Sequence, residues 1–245
     1  MPPQSAAPVV SINSLRSHCA TCNMRTLCLP VGLAERDLAT LDSLLGNRLK
    51  LKKGEPLFRN GAPFTSLYAV WLGSLKTTVL SDDGREQVAG YHMPGDLLGL
   101  DGMSGDHHGC EATALEDAEL CVLPFSRIEE LARDVPALQH NLHKILSREI
   151  ERDHKVMLLL GSMRAEERLA AFLLNLSERY RSRGYSSSEF VLRMTREEIG
   201  SFLGLKLETV SRLFSRFQDE GLVTVAGRSV RINDLAMLKQ LVGRG

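Results

Sequence analysis

Cys19, Cys22 and Cys28 lie within ten residues of one another in a chain of 245 residues with five cysteines in all. In a chain with no sign of secretion, such a cluster is expected to bind metal or do redox chemistry rather than form a structural disulfide. Three chemistries fit. Three thiolates with His18 or another cysteine would bind zinc, four thiolates would hold an iron–sulfur cluster, and Cys19 with Cys22 alone would make a redox dithiol. Structural zinc sites usually have paired spacings, and the sequence has no second C-x-x-C and no H-x-x-x-H. A dithiol catalyst normally sits in a βαβ setting, which the surrounding residues lack. A fourth cysteine is available at Cys110, in a Gly/His-rich loop, or at Cys121, in a strand-like run. Spacing does not choose between them, and either can equally be a buried inert thiol.

A second constellation sits near the C-terminus. Thr195-Arg-Glu-Glu198 fits a capping box that opens a short helix ending at Gly204. A second helix is expected from Leu207 to Glu220, with Val210, Leu213, Phe214 and Phe217 facing inward. Two short helices joined by a glycine turn make a helix-turn-helix. The outer face of the second helix offers Lys206, Glu208, Thr209, Ser211, Arg212, Ser215 and Arg216. Arg pairs bidentately with guanine, Glu accepts from cytosine N4, and Ser contacts bases or phosphate. Leu222–Val225 and Val230–Ile232 then form a hairpin wing that brings Arg228 and Arg231 toward phosphates.

These groups need a scaffold. Between Leu49 and Pro124, short β-rich runs at Leu67–Leu72, Lys76–Leu80, Gln87–Tyr91 and Glu119–Leu123 alternate with glycines, which predicts an antiparallel barrel or sandwich. Ser126 is expected to cap a short helix. Pro136 opens a longer one, to about Leu160. On that helix Leu142, Leu146, Ile150, Met157 and Leu160 form a narrow seam with Asp153 on the same stripe, a pattern that suits a two-stranded dimer. No run is long and apolar enough to span a bilayer and no leader opens the chain, so a cytoplasmic protein is expected, with a flexible tail over the first 17 or so residues. Basic and acidic side chains balance at 30 each, but residues 163–245 hold 14 of the basic and 10 of the acidic ones. The neutral total hides a basic C-terminal third beside an acidic body, so it excludes nothing about DNA.

With these residues in view, the chain resembles an FNR-type member of the cyclic-AMP-receptor/FNR superfamily of bacterial transcription regulators. The resemblance covers nearly the whole length: the cysteine trio, Lys53-Gly54-Glu55, Pro94-Gly95-Asp96, the long helix and Glu208-Thr-Val-Ser211-Arg212. It implies an α+β protein in four parts: a cysteine segment at 1–46, a cyclic-nucleotide-binding-like β-barrel at 47–135, a dimerisation helix at 136–162 and a winged helix-turn-helix at 163–245. It implies a [4Fe–4S] cluster on Cys19, Cys22, Cys28 and Cys121, because the family's fourth ligand precedes a Pro-Phe pair, here Pro124-Phe125. Cys110 does not match. It also implies a homodimer that reads a palindrome of TTGA and TCAA half-sites without oxygen, activating or repressing transcription. The Asp82-Asp83-Gly84 turn resembles the family's activating loop toward RNA polymerase. The nucleotide-binding branch would show Gly-Glu and a later Arg-Ser, whereas this chain has Asp96 and Gly109-Cys110-Glu111-Ala112-Thr113. No cyclic nucleotide is therefore expected. A same-fold regulator using zinc or plain thiols is the competing expectation.

On a parallel seam each Asp153 would approach its symmetry mate, and two carboxylates leaving water together are costly. That would hold the dimer near balance, so that ordering of the cysteine segment tips it. If Asp153 points outward instead, it is merely solvated.

Overall fold

The computed structural model describes residues 19–46, 48–81 and 83–243. The expected N-terminal tail, His18 and Asp82 lie outside them. Helix α1 (Glu35–Leu44) follows the cysteine segment and leads into eight strands: β1 (Leu49–Leu51), β2 (Pro56–Phe58), β3 (Ser66–Leu72), β4 (Leu75–Leu80), β5 (Glu86–His92), β6 (Leu97–Leu98), β7 (Glu111–Ala114) and β8 (Ala118–Pro124). Then come α2 (Phe125–Asp134), α3 (Pro136–Ser162), α4 (Ala165–Ser182), β9 (Glu189–Val191), α5 (Arg196–Leu203), α6 (Leu207–Asp219), β10 (Val223–Ala226), β11 (Ser229–Ile232) and α7 (Leu235–Val242).

The expected mixed α+β architecture is present, but the barrel is not closed. Strands order as β1-β8-β3-β6 in one antiparallel sheet and β2-β7-β4-β5 in another. Strand β6, only two residues long, cannot carry pairing across to the second sheet. Leu51, Phe58, Val70, Leu75, Leu98 and Leu120 fill the space between the sheets. The β3–β4 turn requires Gly73, whose φ is 84° and where a Cβ would meet the Asp117 carbonyl oxygen at 2.6 Å.

Strand β8 runs straight into α2. The helix starts at Phe125 with Pro124 before it and no side-chain cap, so Ser126 lies inside the first turn rather than capping it. Helix α3 runs 27 residues from its N1 proline. Its first half is an interior helix: Leu138, Leu142 and Ile145 pack with Leu29, Leu38, Leu41, Leu67 and Ile128. Leu142 is therefore core of its own protomer and not seam. In the second half Ile150 (55% exposed), Met157 (69%) and Leu158 (56%) face outward.

The C-terminal unit does not stand apart. Its core of Leu169, Phe172, Leu173, Ile199, Val210, Phe214 and Phe217 continues into Val88, Tyr91 and Leu115 of the sandwich. Lys76 Nζ lies 2.8 Å from Glu198 Oε1. The Val88 amide donates to Ser201 Oγ at 2.9 Å, and Gln87 donates to the Ser201 carbonyl oxygen.

Candidate metal centre and nucleic-acid interface

Cys19, Cys22, Cys28 and Cys121 all line one cavity, walled by Leu29, Leu41, Leu45, Val70 and Leu123. Three come from the turn-rich segment before α1 and one from β8. Among the described residues, no three His, Cys, Asp or Glu side chains gather closely enough to grip a single ion. Burial pushes the Cys28 thiol up to about 12, with Cys121 and Cys22 adding to it. Burial raises Cys19 further, helped by Asp42, whose carboxylate also accepts the Cys19 amide at 2.6 Å. Soft sulfur donors in an apolar enclosure fit an iron–sulfur cluster, whose positive irons would offset the charge these thiolates hold with difficulty.

Cys110 lies elsewhere. It is 9% exposed, and its Sγ donates to Asp101 Oδ2 at 3.4 Å. Burial, then Asp101, raises its thiol to about 12.

The cysteine segment is tied to its surroundings by Asn141, which carried no motif, and by the Pro94-Gly95-Asp96 turn, whose contacts the sequence did not reveal. Asn141, buried on α3, donates from Nδ2 to the Leu29 carbonyl (3.1 Å) and the Val31 carbonyl (2.7 Å). Gly95 sits under the segment with φ of 94°, where a Cβ would lie 2.9 Å from Leu27 Cβ. The next residue, Asp96, reaches α4 and the turn after it in the C-terminal unit. Its Oδ2 is 2.5 Å from Arg179 Nη2 and its Oδ1 is 2.7 Å from Arg183 Nη2, with Arg152 of α3 at 3.9 Å. Burial alone would raise the Asp96 carboxyl, but Arg179, Arg183 and Arg152 outweigh it and hold it at about 2. Nothing in local spacing announces these contacts; only the unusual Pro-Gly-Asp turn marks the place.

The C-terminal motifs fold as expected. The Thr195 hydroxyl accepts the Glu198 amide at 3.1 Å, and Glu198 accepts the Thr195 amide at 2.7 Å. Gly204 is left-handed at φ 63°. Val210, Phe214 and Phe217 of α6 are buried, while Lys206, Glu208, Ser211, Arg212 and Ser215 are exposed and Thr209 is partly exposed along one side. Arg216 is exposed but turned back, 2.6 Å from Glu166 and 2.7 Å from Glu220. The wing β10–β11 turns at Gly227 with Arg228 exposed, and Arg231 pairs with Glu189 of β9, a third strand the sequence did not reveal. Arg168 was also missed. Its guanidinium donates to the carbonyls of Met163 (2.9 Å), Leu203 (3.0 Å) and Leu160 (2.8 Å), joining the end of α3 to the end of α5.

On the expected seam, Ile150, Asp153 and Met157 are exposed and Leu146 is partly exposed. Leu160 is partly buried against the C-terminal core. In the β4–β5 turn, Gly84 is exposed and left-handed at φ 83°, and the Asp83 carboxylate is held by Arg85 Nε at 2.8 Å.

Known protein families match both the sandwich and the C-terminal unit. A family model described as cyclic nucleotide-binding domain matches residues 48–134, and one described as Crp-like helix-turn-helix domain matches residues 167–241. The chain is 48% identical to the transcriptional regulatory protein btr of Bordetella pertussis, over 93% of this chain and 94% of that one. It is 43% identical to the anaerobic regulatory protein of Haemophilus influenzae, over 92% and 88%. Among solved structures, FixK2 of Bradyrhizobium japonicum superposes with a TM-score of 0.74 at 31% identity, covering 80% of this chain and 96% of that one.

Proposed function

The chain belongs to the FNR-type branch of the Crp/FNR transcription regulators, and from that premise we propose an oxygen-responsive regulator whose homodimer binds a palindromic TTGA/TCAA operator only when Cys19, Cys22, Cys28 and Cys121 hold a [4Fe–4S] cluster. The observation that carries this is the meeting of all four cysteines in one apolar cavity whose rim is tied to α3. When bound, the cluster supplies iron–sulfide chemistry that oxygen destroys.

The chain's own residues do the rest. Asn141 links the order of residues 29–31 to α3, on which Ile150, Asp153 and Met157 make the seam. Leu27 bears on Gly95, and Asp96 passes that contact to Arg179 and Arg183. Glu208, Ser211 and Arg212 read base edges, with Lys206, Thr209 and Arg228 on or near phosphates. Arg216 orients α6 through Glu166 and Glu220 before it reaches DNA. The Asp82–Gly84 turn meets RNA polymerase at activated promoters. No cyclic nucleotide enters the sandwich, since the carboxylate at its Gly-Asp turn is already committed to the chain's own arginines. No helix among the described residues is long and apolar enough to cross a membrane, in keeping with a cytoplasmic regulator.

Iron and acid-labile sulfide analysis of anaerobically purified protein tests the cofactor. Equal iron and sulfide with charge-transfer absorbance supports it. Colourless protein carrying zinc points to the same fold sensing through another metal.

A further inference from the structure

A cleft of about 410 Å³ opens between α3, α4, α5 and the end of β5, a size typical of small-molecule pockets (roughly 300–1,000 Å³). One wall is apolar. Tyr91, Phe172 and Phe202 pack with ring centroids 5.2 to 6.0 Å apart, beside Leu158 and Met163. The opposite wall is cationic, from the side of α3 turned away from Ile150 and Met157: Arg148, Arg152 and Lys155, with Arg179 from α4. Asp96 and Glu149 already engage Arg152, and Asp96 engages Arg179. Arg148 and Lys155 have no carboxylate within salt-bridge distance among the described residues, and Glu151, also in the lining, offsets only one of them. Tyr91 is 4% exposed, yet its hydroxyl has no hydrogen-bond partner, and neither does Arg179 Nε. Both atoms are sealed from solvent, so the donors that the cleft itself offers are those of Arg148 and Lys155.

We infer that this cleft binds a small amphipathic anion, with an acyl or aromatic body against Phe172 and Phe202 and a carboxylate between Arg148 and Lys155. Its occupant touches both α3 and the helix-turn-helix unit, so occupancy biases how the two are held. The site is separate from the cysteine cavity and is tested without reference to oxygen or DNA.

The test is fluorescence titration of anaerobically purified full-length protein with 1-anilinonaphthalene-8-sulfonate, followed by displacement with decanoate. The expected result is one saturable probe site per protomer, cleared by decanoate and far less by decanol. R148Q/K155Q removes both charge-assisted contacts and should weaken both ligands at least tenfold. Ala171→Phe, which fills the cleft, should abolish binding. Should Ala171→Phe lower the melting temperature sharply, the double variant decides alone, because both its residues are exposed. Unsaturable fluorescence, equal displacement by decanol, or binding unchanged in R148Q/K155Q overturns the inference.

Discussion

Arg183 places Nη2 2.7 Å from Asp96 Oδ1 and donates from Nε to the Pro94 carbonyl oxygen at 2.7 Å. One guanidinium of the C-terminal unit thus clamps the turn on which the cysteine segment rests. Removing the carboxylate strands Arg179 and Arg183 in a buried setting. Asp96→Asn should therefore cost about 3–5 kcal/mol at neutral pH, by denaturant unfolding.

The pH dependence of that loss has a defined sign. Asp96 titrates at about 2 when folded, against ~3.9 unfolded, so its contribution is complete above pH ~4 and disappears as pH falls toward 2. His92 is depressed by burial to about 3, so folding also loses stability as pH falls through ~6.5. Wild type should weaken in two stages on acidification. Asp96→Asn should keep the upper stage and lose the lower one.

Gly95→Ala forces an L-residue into φ of 94° and against Leu27. The expected cost is about 1–2 kcal/mol for the backbone alone. Because the strain falls on the cysteine segment, cluster absorbance should also decay faster in air, which stopped-flow mixing with oxygenated buffer would measure.

Only some of this was legible in the sequence. The capping box, Gly204 and the apolar spacing of α6 are local signals, and they locate the helix-turn-helix almost to the residue. Cys121 had no local signal: it joins the other cysteines because β8 pairs with β3 beneath the segment, a contact across about a hundred residues. Family resemblance singled it out where spacing did not. The ties of Asn141 and the ion pairs of Asp96 were invisible for the same reason, since their partners are backbone carbonyls or arginines far along the chain, and Arg168 carried no motif for its bonds to the Met163, Leu160 and Leu203 carbonyls. Periodicity misassigned Leu142, because a helix that is half core and half exposed shows one continuous stripe.

Cysteine substitutions separate the two remaining thiols. Cys121→Ser should abolish iron and sulfide incorporation. Cys110→Ser should leave both intact, since its Sγ faces Asp101 and not the cavity.

On the proposed reading face, Arg212 is assigned to base edges and Arg228 to phosphates. Arg212→Ala should cost roughly 1–3 kcal/mol and relax discrimination at one base pair. Arg228→Ala should weaken all sequences alike and flatten the salt dependence. Competition titrations across operator variants at several salt concentrations distinguish the two.

Asp153 lies exposed between Ile150 and Met157 on the outward face of α3. If a partner helix covers that face, Asp153→Ala relieves the repulsion and should give an air-stable dimer by sedimentation. An air-exposed variant that stays monomeric shows that Asp153 does not limit association.

The most direct measurement is anisotropy of a labelled TTGA/TCAA duplex with anaerobically purified protein, before and after admitting air. Tight, sequence-specific binding that is lost as the charge-transfer absorbance disappears is the predicted result. Binding of equal strength before and after cluster loss would contradict the central claim.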